Sequence, residues 1–237
     1  MTEQAVLSLA LIALGSFVLS YVGAAVGLVL GQLRVALLCY VIGDPAVGAA
    51  TSLSISTVAT IVGTITHLRG GRVDGGLLLA IGLPSALAAG CTAYYARSFP
   101  TGALKTVIAV TLLVTGISLL RQAGSSQRSL APTPPLLRSP RLEVAVQVLI
   151  GIVLGSISGL VGLLLGSLRL PAMVRLTRVP PATAVGTNMA IGAITGVSAG
   201  LSAMMGGKVS LTAFAVVCPL TLVGAHLGAH KAGTLDQ

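Results

Sequence analysis

The fold follows from one short stretch that the chain carries twice, Gly27-Leu-Val-Leu-Gly-Gln-Leu-Arg-Val-Ala36 and Gly162-Leu-Leu-Leu-Gly-Ser-Leu-Arg-Leu-Pro171. Six of the ten positions are identical, at a constant offset of 135 residues. Each copy places two glycines and one arginine, Arg34 or Arg169, in sequence that is otherwise nearly all hydrocarbon. Because an arginine in such a setting is costly, its appearance twice in register indicates a specific role.

The composition is that of a membrane protein. Of the 237 residues, 54% are hydrophobic and only 8% are charged, whereas a soluble domain carries about a quarter charged residues. Several runs without any charge approach or exceed the ~20 residues that a helix needs to cross the hydrocarbon layer. These runs are residues 4–33, 45–66, 75–96, 144–168, 179–207 and 209–225. The sequence therefore predicts an all-α polytopic membrane protein with two repeats of broken and spanning helices, about seven spans in all.

Several other functions are not expected. The net charge of +9 does not indicate nucleic-acid binding, because the arginines and lysines stand singly between apolar runs, as in the loops of membrane proteins. We do not expect an enzyme, because no carboxylate lies in the middle of a span and no serine–histidine or phosphate-loop motif is evident. The three cysteines stand alone in apolar segments, so we expect neither a metal nor a cofactor.

Residues 1–120 are predicted to form the first transmembrane repeat. Span A covers 5–33, and the apolar piece that follows, 35–43, is too short to cross the membrane. One continuous helix through both would be roughly 58 Å long. We therefore expect a break at Gly27 and Gly31, followed by a short re-entrant helix. Spans B, C and D follow over residues 46–68, 75–96 and 102–120.

A linker and a second repeat complete the chain. Residues 121–142 are rich in serine and proline and contain four arginines and no acid, which is typical of a flexible linker. Residues 143–237 then restart the pattern, with breaks expected at Gly162 and Gly166. We expect this repeat to lack its last helix, the counterpart of span D. The predicted spans A′, B′ and C′ cover 143–168, 181–205 and 209–230. Transporters built from such repeats bind substrate at broken helices near the membrane midplane.

The order of these motifs resembles the sulfite exporter TauE/SafE family of membrane transporters. That pattern is a glycine-rich run, a short apolar run and proline, then A-V-G-T-S and G-x-[IV]-D, all repeated once. The matching stretches here are Gly27–Gly31, Gly48–Ser52, Gly71–Asp74, Gly162–Pro171, Ala184–Asn188 and Gly207–Ser210. The resemblance implies a helical bundle of two repeats in the bacterial inner membrane that moves sulfite, organosulfonates or other small anions.

Arg34 and Arg169 are the first candidate ligands for an anion. A guanidinium keeps its proton and presents a planar fork of donors that suits oxyanions. The neighbouring glycines could expose backbone N–H groups to the same anion, and Gln32 and Ser167 could add neutral donors. The alternative is that both arginines mark the membrane interface, each snorkelling from the end of span A or A′.

Two polar pairs near the N-terminal ends of spans B and B′ are the second candidates: Thr51-Ser52 and Thr187-Asn188. Helix N-termini attract anions through free N–H groups and the macrodipole. Hydroxyl and amide side chains at these positions could complete the shell of an oxyanion. Hydrogen bonding between helices or to the backbone is the alternative role for all four side chains.

We expect an integral membrane transporter or facilitator that exports small oxyanions. The chain lacks mid-span carboxylates for a coupling proton or sodium ion, and an inside-negative potential already drives each negative charge outward by about 2.3 kcal/mol per 100 mV. Two alternatives stay open, a passive anion channel and a divergent membrane scaffold or partner subunit that does not transport. The expected partners are the lipid bilayer, a small anionic substrate and a second copy of the chain, with no nucleic acid.

Overall fold

The computed structural model describes residues 3–26, 31–124, 139–176, 179–207 and 209–235, and the regular elements in these ranges are all helices. In chain order they are α1 (Glu3–Val26), α2 (Gln32–Ile42), α3 (Pro45–Arg69), α4 (Gly75–Tyr95), α5 (Thr101–Gly124), α6 (Pro140–Val161), α7 (Gly166–Leu176), α8 (Pro181–Met205) and α9 (Leu211–Leu235). All except α2 and α7 are long and apolar enough to cross a membrane, which gives seven spans in the described part of the chain. The predicted fold class is confirmed.

The second short helix follows a sharp break. Helix α6 ends because Gly162 has a left-handed φ of 71°, a conformation in which any side chain would be strained. The Ser158 hydroxyl donates to the carbonyl oxygen of Leu163 and so stabilises the turn. Helix α7 then begins at Gly166. Span A′, predicted over 143–168, is therefore too long at its C-terminal end, and Arg169 belongs to α7.

The first short helix occupies the equivalent position in the first half. Helix α2 begins at Gln32, with Gly31 as its N-cap residue, and ends at Gly43, whose φ is 78°. Span A, predicted over 5–33, therefore overlaps the start of α2. The other predicted break residue of this half, Gly27, lies outside the described residues.

The predicted ends of the other spans agree closely with the observed helices at the centre of the fold and less well at its periphery. Helices α3, α4 and α8 match spans B, C and B′ within one residue at each end. Helices α5 and α9 run past the predicted ends, to Gly124 and Leu235. Both ends of the expected linker, 121–142, are thus helical, and residues 125–138 lie outside the described part. The division of the chain into two repeats stays a prediction.

The first and second halves of the chain interlock. Helix α1 packs along α9, and α6 packs along α4, so each of these pairs joins one half to the other. Helices α3 and α8 are the most buried spans, each with 14 of its 25 residues buried, and they pack against each other. The short helices α2 and α7 pack on α3 and α8 respectively. The centre of the bundle is therefore formed by α3, α8 and the two short helices.

Glycines set the close approach of α6 to α4. Gly151, Gly155 and Gly159 recur at every fourth residue and lie on one face of α6. A Cβ at each position would lie only 2.2–2.4 Å from a backbone carbonyl oxygen of α4. Small residues at this spacing let two helix backbones touch in lipid, where packing rather than hydrophobicity drives association.

Candidate functional site

Arg34 lies inside the bundle and binds α3. It is the third residue of α2, and only 4% of it is exposed. Its Nε donates to Ser52 Oγ at 3.3 Å, and its Nη2 donates to the Ser52 carbonyl oxygen at 3.2 Å and to the Ser56 hydroxyl. The chain reverses after Gly43, so that α2 lies back along the first half of α3. All three of these acceptors are neutral.

Arg169 has the matching place on α7 and α8. It is the fourth residue of α7 and is 2% exposed. Its Nε donates to Asn188 Oδ1 at 2.8 Å, and its Nη2 donates to the Asn188 carbonyl oxygen at 3.1 Å. The Asn188 amide in turn donates to the carbonyl oxygen of Gly166 at 3.3 Å. Asn188 therefore fixes both the guanidinium and the first residue of α7.

Both arginines lie away from the ends of the spanning helices that they contact. Ser52 and Asn188 are each the eighth residue of a 25-residue spanning helix, about 10 Å from its start. Both guanidiniums therefore lie within the depth of the bundle. Neither has a carboxylate partner among the described residues, and Nη1 of neither one donates to a described acceptor. The site thus holds two positive charges on neutral partners, with N–H donors left over.

The two short helices meet at their N-terminal ends. Gln32 Nε2 donates to Ser167 Oγ at 3.2 Å, and this bond joins residues that are 135 positions apart. Both side chains are buried. The first turns of α2 and α7, which carry the partial positive charge of a helix N-terminus, are therefore brought together beside the two arginines.

Two of the glycines predicted at the helix breaks make room for these polar side chains. A Cβ on Gly31 would lie 2.8 Å from Ser56 Oγ and 3.2 Å from Arg34 Nη2. A Cβ on Gly166 would lie 2.9 Å from Asn188 Nδ2. Their role in the structure is close packing against the site.

Thr51 and Thr187 form the hydrogen bonds that the sequence offers as the alternative to anion binding. Thr187 Oγ1 accepts from the backbone N–H of Asp74 at 2.8 Å, and Thr51 Oγ1 accepts from the N–H of Ser210 at 2.9 Å. Each hydroxyl also donates to the carbonyl four residues earlier, at 2.7 Å. Both hydroxyls are therefore engaged in linking a helix of one half to the start of a helix of the other. We interpret them as structural links and not as anion ligands.

This interpretation predicts a loss of stability without a loss of affinity. Thr51→Val and Thr187→Val keep the shape of the side chain but leave the N–H of Ser210 or Asp74 without its acceptor. We expect each to lower the free energy of unfolding by about 1–3 kcal/mol, measured by thermal unfolding in detergent, while KM for the transported anion stays unchanged. The control is Thr66→Val, an exposed threonine that bonds only within its own helix. A large rise in KM with unchanged stability would contradict the interpretation.

The comparison with known proteins agrees with this architecture. The family model for the sulfite exporter TauE/SafE matches residues 9–237, nearly the whole chain. The chain belongs to the TauE/SafE family. A curated relative, the probable membrane transporter protein YunE of Bacillus subtilis (strain 168), is 26% identical over 198 residues, which cover 78% of this chain and 71% of the relative. No solved structure gives a significant match to the chain.

Family membership makes this chain a multi-pass membrane transporter. This confirms the resemblance found in the sequence and agrees with the expectation that the chain is not an enzyme. The protein is therefore embedded in the lipid bilayer, and the apolar side chains exposed on the outer helices face lipid.

One partner of the arginines in this TauE/SafE transporter was not predicted as a site residue. Ser56 lies one helical turn after Ser52, on the same face of α3, and accepts a hydrogen bond from Arg34. The spacing of four residues was a usable signal, but span B contains many hydroxyl residues and their periodicity alone does not select this one. In the second half the equivalent position, 136 residues later, is Gly192.

Proposed function

We propose that this TauE/SafE transporter exports small oxyanions, such as sulfite or organosulfonates, across the bacterial inner membrane, and that Arg34 and Arg169 bind them. The observation that supports this most strongly is that both guanidiniums are buried and have only neutral partners among the described residues. Removing a charge from water without a counter-charge costs several kcal/mol. An anion bound between the arginines offsets that cost.

The proposed site has two parts with separate tasks. Ser52 and Asn188 hold each guanidinium by its Nε and Nη2 atoms, which leaves Nη1 to donate to an anion. Gln32 and Ser167 keep the two short helices together at the point where their N-termini meet. Charge-assisted hydrogen bonds from Arg to an oxyanion are about twice as strong as neutral ones, so the arginines supply most of the affinity.

We also propose that residues 1–120 and 143–237 are two repeats, with 121–142 between them. The matched bonds of Arg34 with Ser52 and Arg169 with Asn188, at offsets of 135 and 136, support this. In transporters of this kind one repeat moves against the other around a fixed central site. The Gln32–Ser167 bond crosses between the halves, so a movement of one repeat against the other would have to break or bend it.

Export rather than coupled uptake is favoured by where the carboxylates lie. Asp44 and Asp74 are the N-cap residues of α3 and of the first turn of α4, and Glu143 is in the first turn of α6. These described carboxylates sit at helix ends, away from the arginines. An anion leaving a cell with an inside-negative potential needs no coupling cation, because the potential drives it outward by about 2.3 kcal/mol per 100 mV.

Flux measurements in proteoliposomes test this proposal. With the purified chain, we expect sulfite efflux that saturates with concentration, accelerates when the lumen is made electrically negative, and does not respond to a pH gradient. Proton-driven accumulation of sulfite would contradict the export mechanism. Efflux that rises linearly without saturating would favour a passive anion channel, and absence of anion flux from folded protein would contradict the proposed function.

A further inference from the structure

Arg34 and Arg169 occupy equivalent positions in the two halves, but their Nη2 atoms have different numbers of hydrogen-bond acceptors. Nη2 of Arg34 has two acceptors, the carbonyl oxygen of Ser52 and the hydroxyl of Ser56. Nη2 of Arg169 has one described acceptor, the carbonyl oxygen of Asn188. The difference arises at one pair of positions, because the counterpart of Ser56 on α8 is Gly192, which has no side chain.

Gly192 leaves a small recess beside Arg169, which we name the Gly192 recess. A Cβ built on Gly192 would lie 3.7 Å from Arg169 Nη2, 3.6 Å from Thr60 Cγ2 and 3.9 Å from Leu164 Cδ1. All three are ordinary van der Waals distances, so the recess accepts at least one further heavy atom. The equivalent position in the first half is filled by the Ser56 side chain, which is 2% exposed.

The chemistry of the recess is also distinct. Thr60 turns its methyl group toward Gly192, because its hydroxyl donates to the carbonyl oxygen of Thr57 at 2.9 Å. Leu164 contributes a second methyl group and is 3% exposed. Of the three nearest heavy atoms to that Cβ position, Nη2 of Arg169 is the polar one. The recess therefore has room for one oxygen of a small oxyanion, beside Arg169 and against the two methyl groups.

We propose that the anion binds on one side of the arginine pair, in the Gly192 recess, and that Gly192 determines which anions fit. This inference rests on the proposed function of the arginines and adds to it the location of the anion. Arg169 makes the direct contact. Arg34, whose Nη2 already donates to Ser52 and Ser56, contributes its positive charge.

Three glycine variants of α8 test the location. Gly192→Ser fills the recess and gives Arg169 Nη2 the hydroxyl acceptor that Arg34 already has, so we expect KM for sulfite efflux to rise by about tenfold or more with a smaller change in kcat. Gly192→Ala fills the recess without adding an acceptor, and we expect it to raise KM more for methanesulfonate than for sulfite. The matched control is Gly200→Ser, two helical turns away, where a Cβ meets only Ser54 Oγ at 3.8 Å.

The outcomes separate the two proposals. If Arg169→Gln abolishes sulfite efflux while Gly192→Ser keeps the wild-type KM, the arginines bind the anion but the recess does not hold it, and this inference is wrong. If Gly192→Ala leaves the ratio of KM for methanesulfonate to KM for sulfite unchanged, the proposed role of Gly192 in specificity is wrong. If Arg169→Gln transports like wild type, the proposed function fails and this inference fails with it. Thermal unfolding of each variant confirms that it is folded before its KM is compared.

Discussion

We expect sulfite efflux to fall by about a hundredfold or more when either Arg34 or Arg169 is replaced by glutamine. In the proposed site each guanidinium supplies a positive charge and donors to the anion, and hydrogen bonds to charged groups contribute about 1.5–3 kcal/mol each. Glutamine keeps a neutral donor of similar length, so the loss reports the charge and the forked geometry. Lysine keeps the charge as a point but not the fork, and we expect Arg→Lys to retain an intermediate rate. Initial efflux rates from sulfite-loaded proteoliposomes measure all of these variants.

Two controls separate a binding role from a structural one. Arg69→Gln removes an exposed arginine at the end of α3 and should transport like wild type. Because Arg34 and Arg169 have no carboxylate partner among the described residues, their replacement removes a costly buried charge. We therefore expect the unfolding temperature of the glutamine variants, without anion, to equal or exceed that of wild type. A marked drop in that temperature would identify the arginines as structural.

The second large effect concerns the packing of α6 on α4. We expect Gly155→Val to prevent stable folding, since a Cβ at this position would lie 2.4 Å from the carbonyl oxygen of Ser85 and 2.7 Å from its Cα. Neither atom is a flexible side-chain end, so the two helices must separate. Steric strain of this kind costs roughly 3 kcal/mol or more. Size-exclusion chromatography and thermal unfolding of the purified chain measure the loss.

A matched glycine provides the control for this experiment. Gly116 also lies within a spanning helix, α5, but a Cβ there would have no neighbour within 4 Å. Gly116→Val should therefore express, purify and unfold like wild type. If both variants behave alike, the close contact between α6 and α4 is not needed for the fold.

Hydropathy and charge predicted the spans, because the cost of a charge in hydrocarbon acts on each segment independently of its neighbours. The ends of the helices at the breaks were predicted less well. Gly162 ends α6 in a left-handed conformation, and a Cβ there would lie 2.2 Å from the carbonyl oxygen of Ala49. That constraint comes from α3, in the other half of the chain, and the local sequence around Gly162 does not contain it.

The sequence predicts only part of the hydrogen bonding around the candidate site, because that bonding also depends on how distant helices pack. The duplication and the cost of burial single out Arg34 and Arg169, and spacing alone brings Ser52 and Asn188 into consideration. To choose between Ser52 and its neighbour Thr51 as the partner of Arg34, one must know how α3 is rotated about its axis. The structure turns Ser52 toward α2 and Thr51 toward the start of α9. The unequal pair Ser56 and Gly192 becomes visible only when the two halves are compared contact by contact.

Sulfite binding to the purified protein tests the central claim most directly, that Arg34 and Arg169 form one anion site between the N-termini of α2 and α7. Equilibrium binding of radiolabelled sulfite in detergent, without a membrane or a gradient, measures affinity and stoichiometry separately from transport. We predict saturable binding of one anion per chain to the wild type and none to the folded double variant Arg34→Gln/Arg169→Gln. Binding of sulfite to that double variant with wild-type affinity would contradict the account.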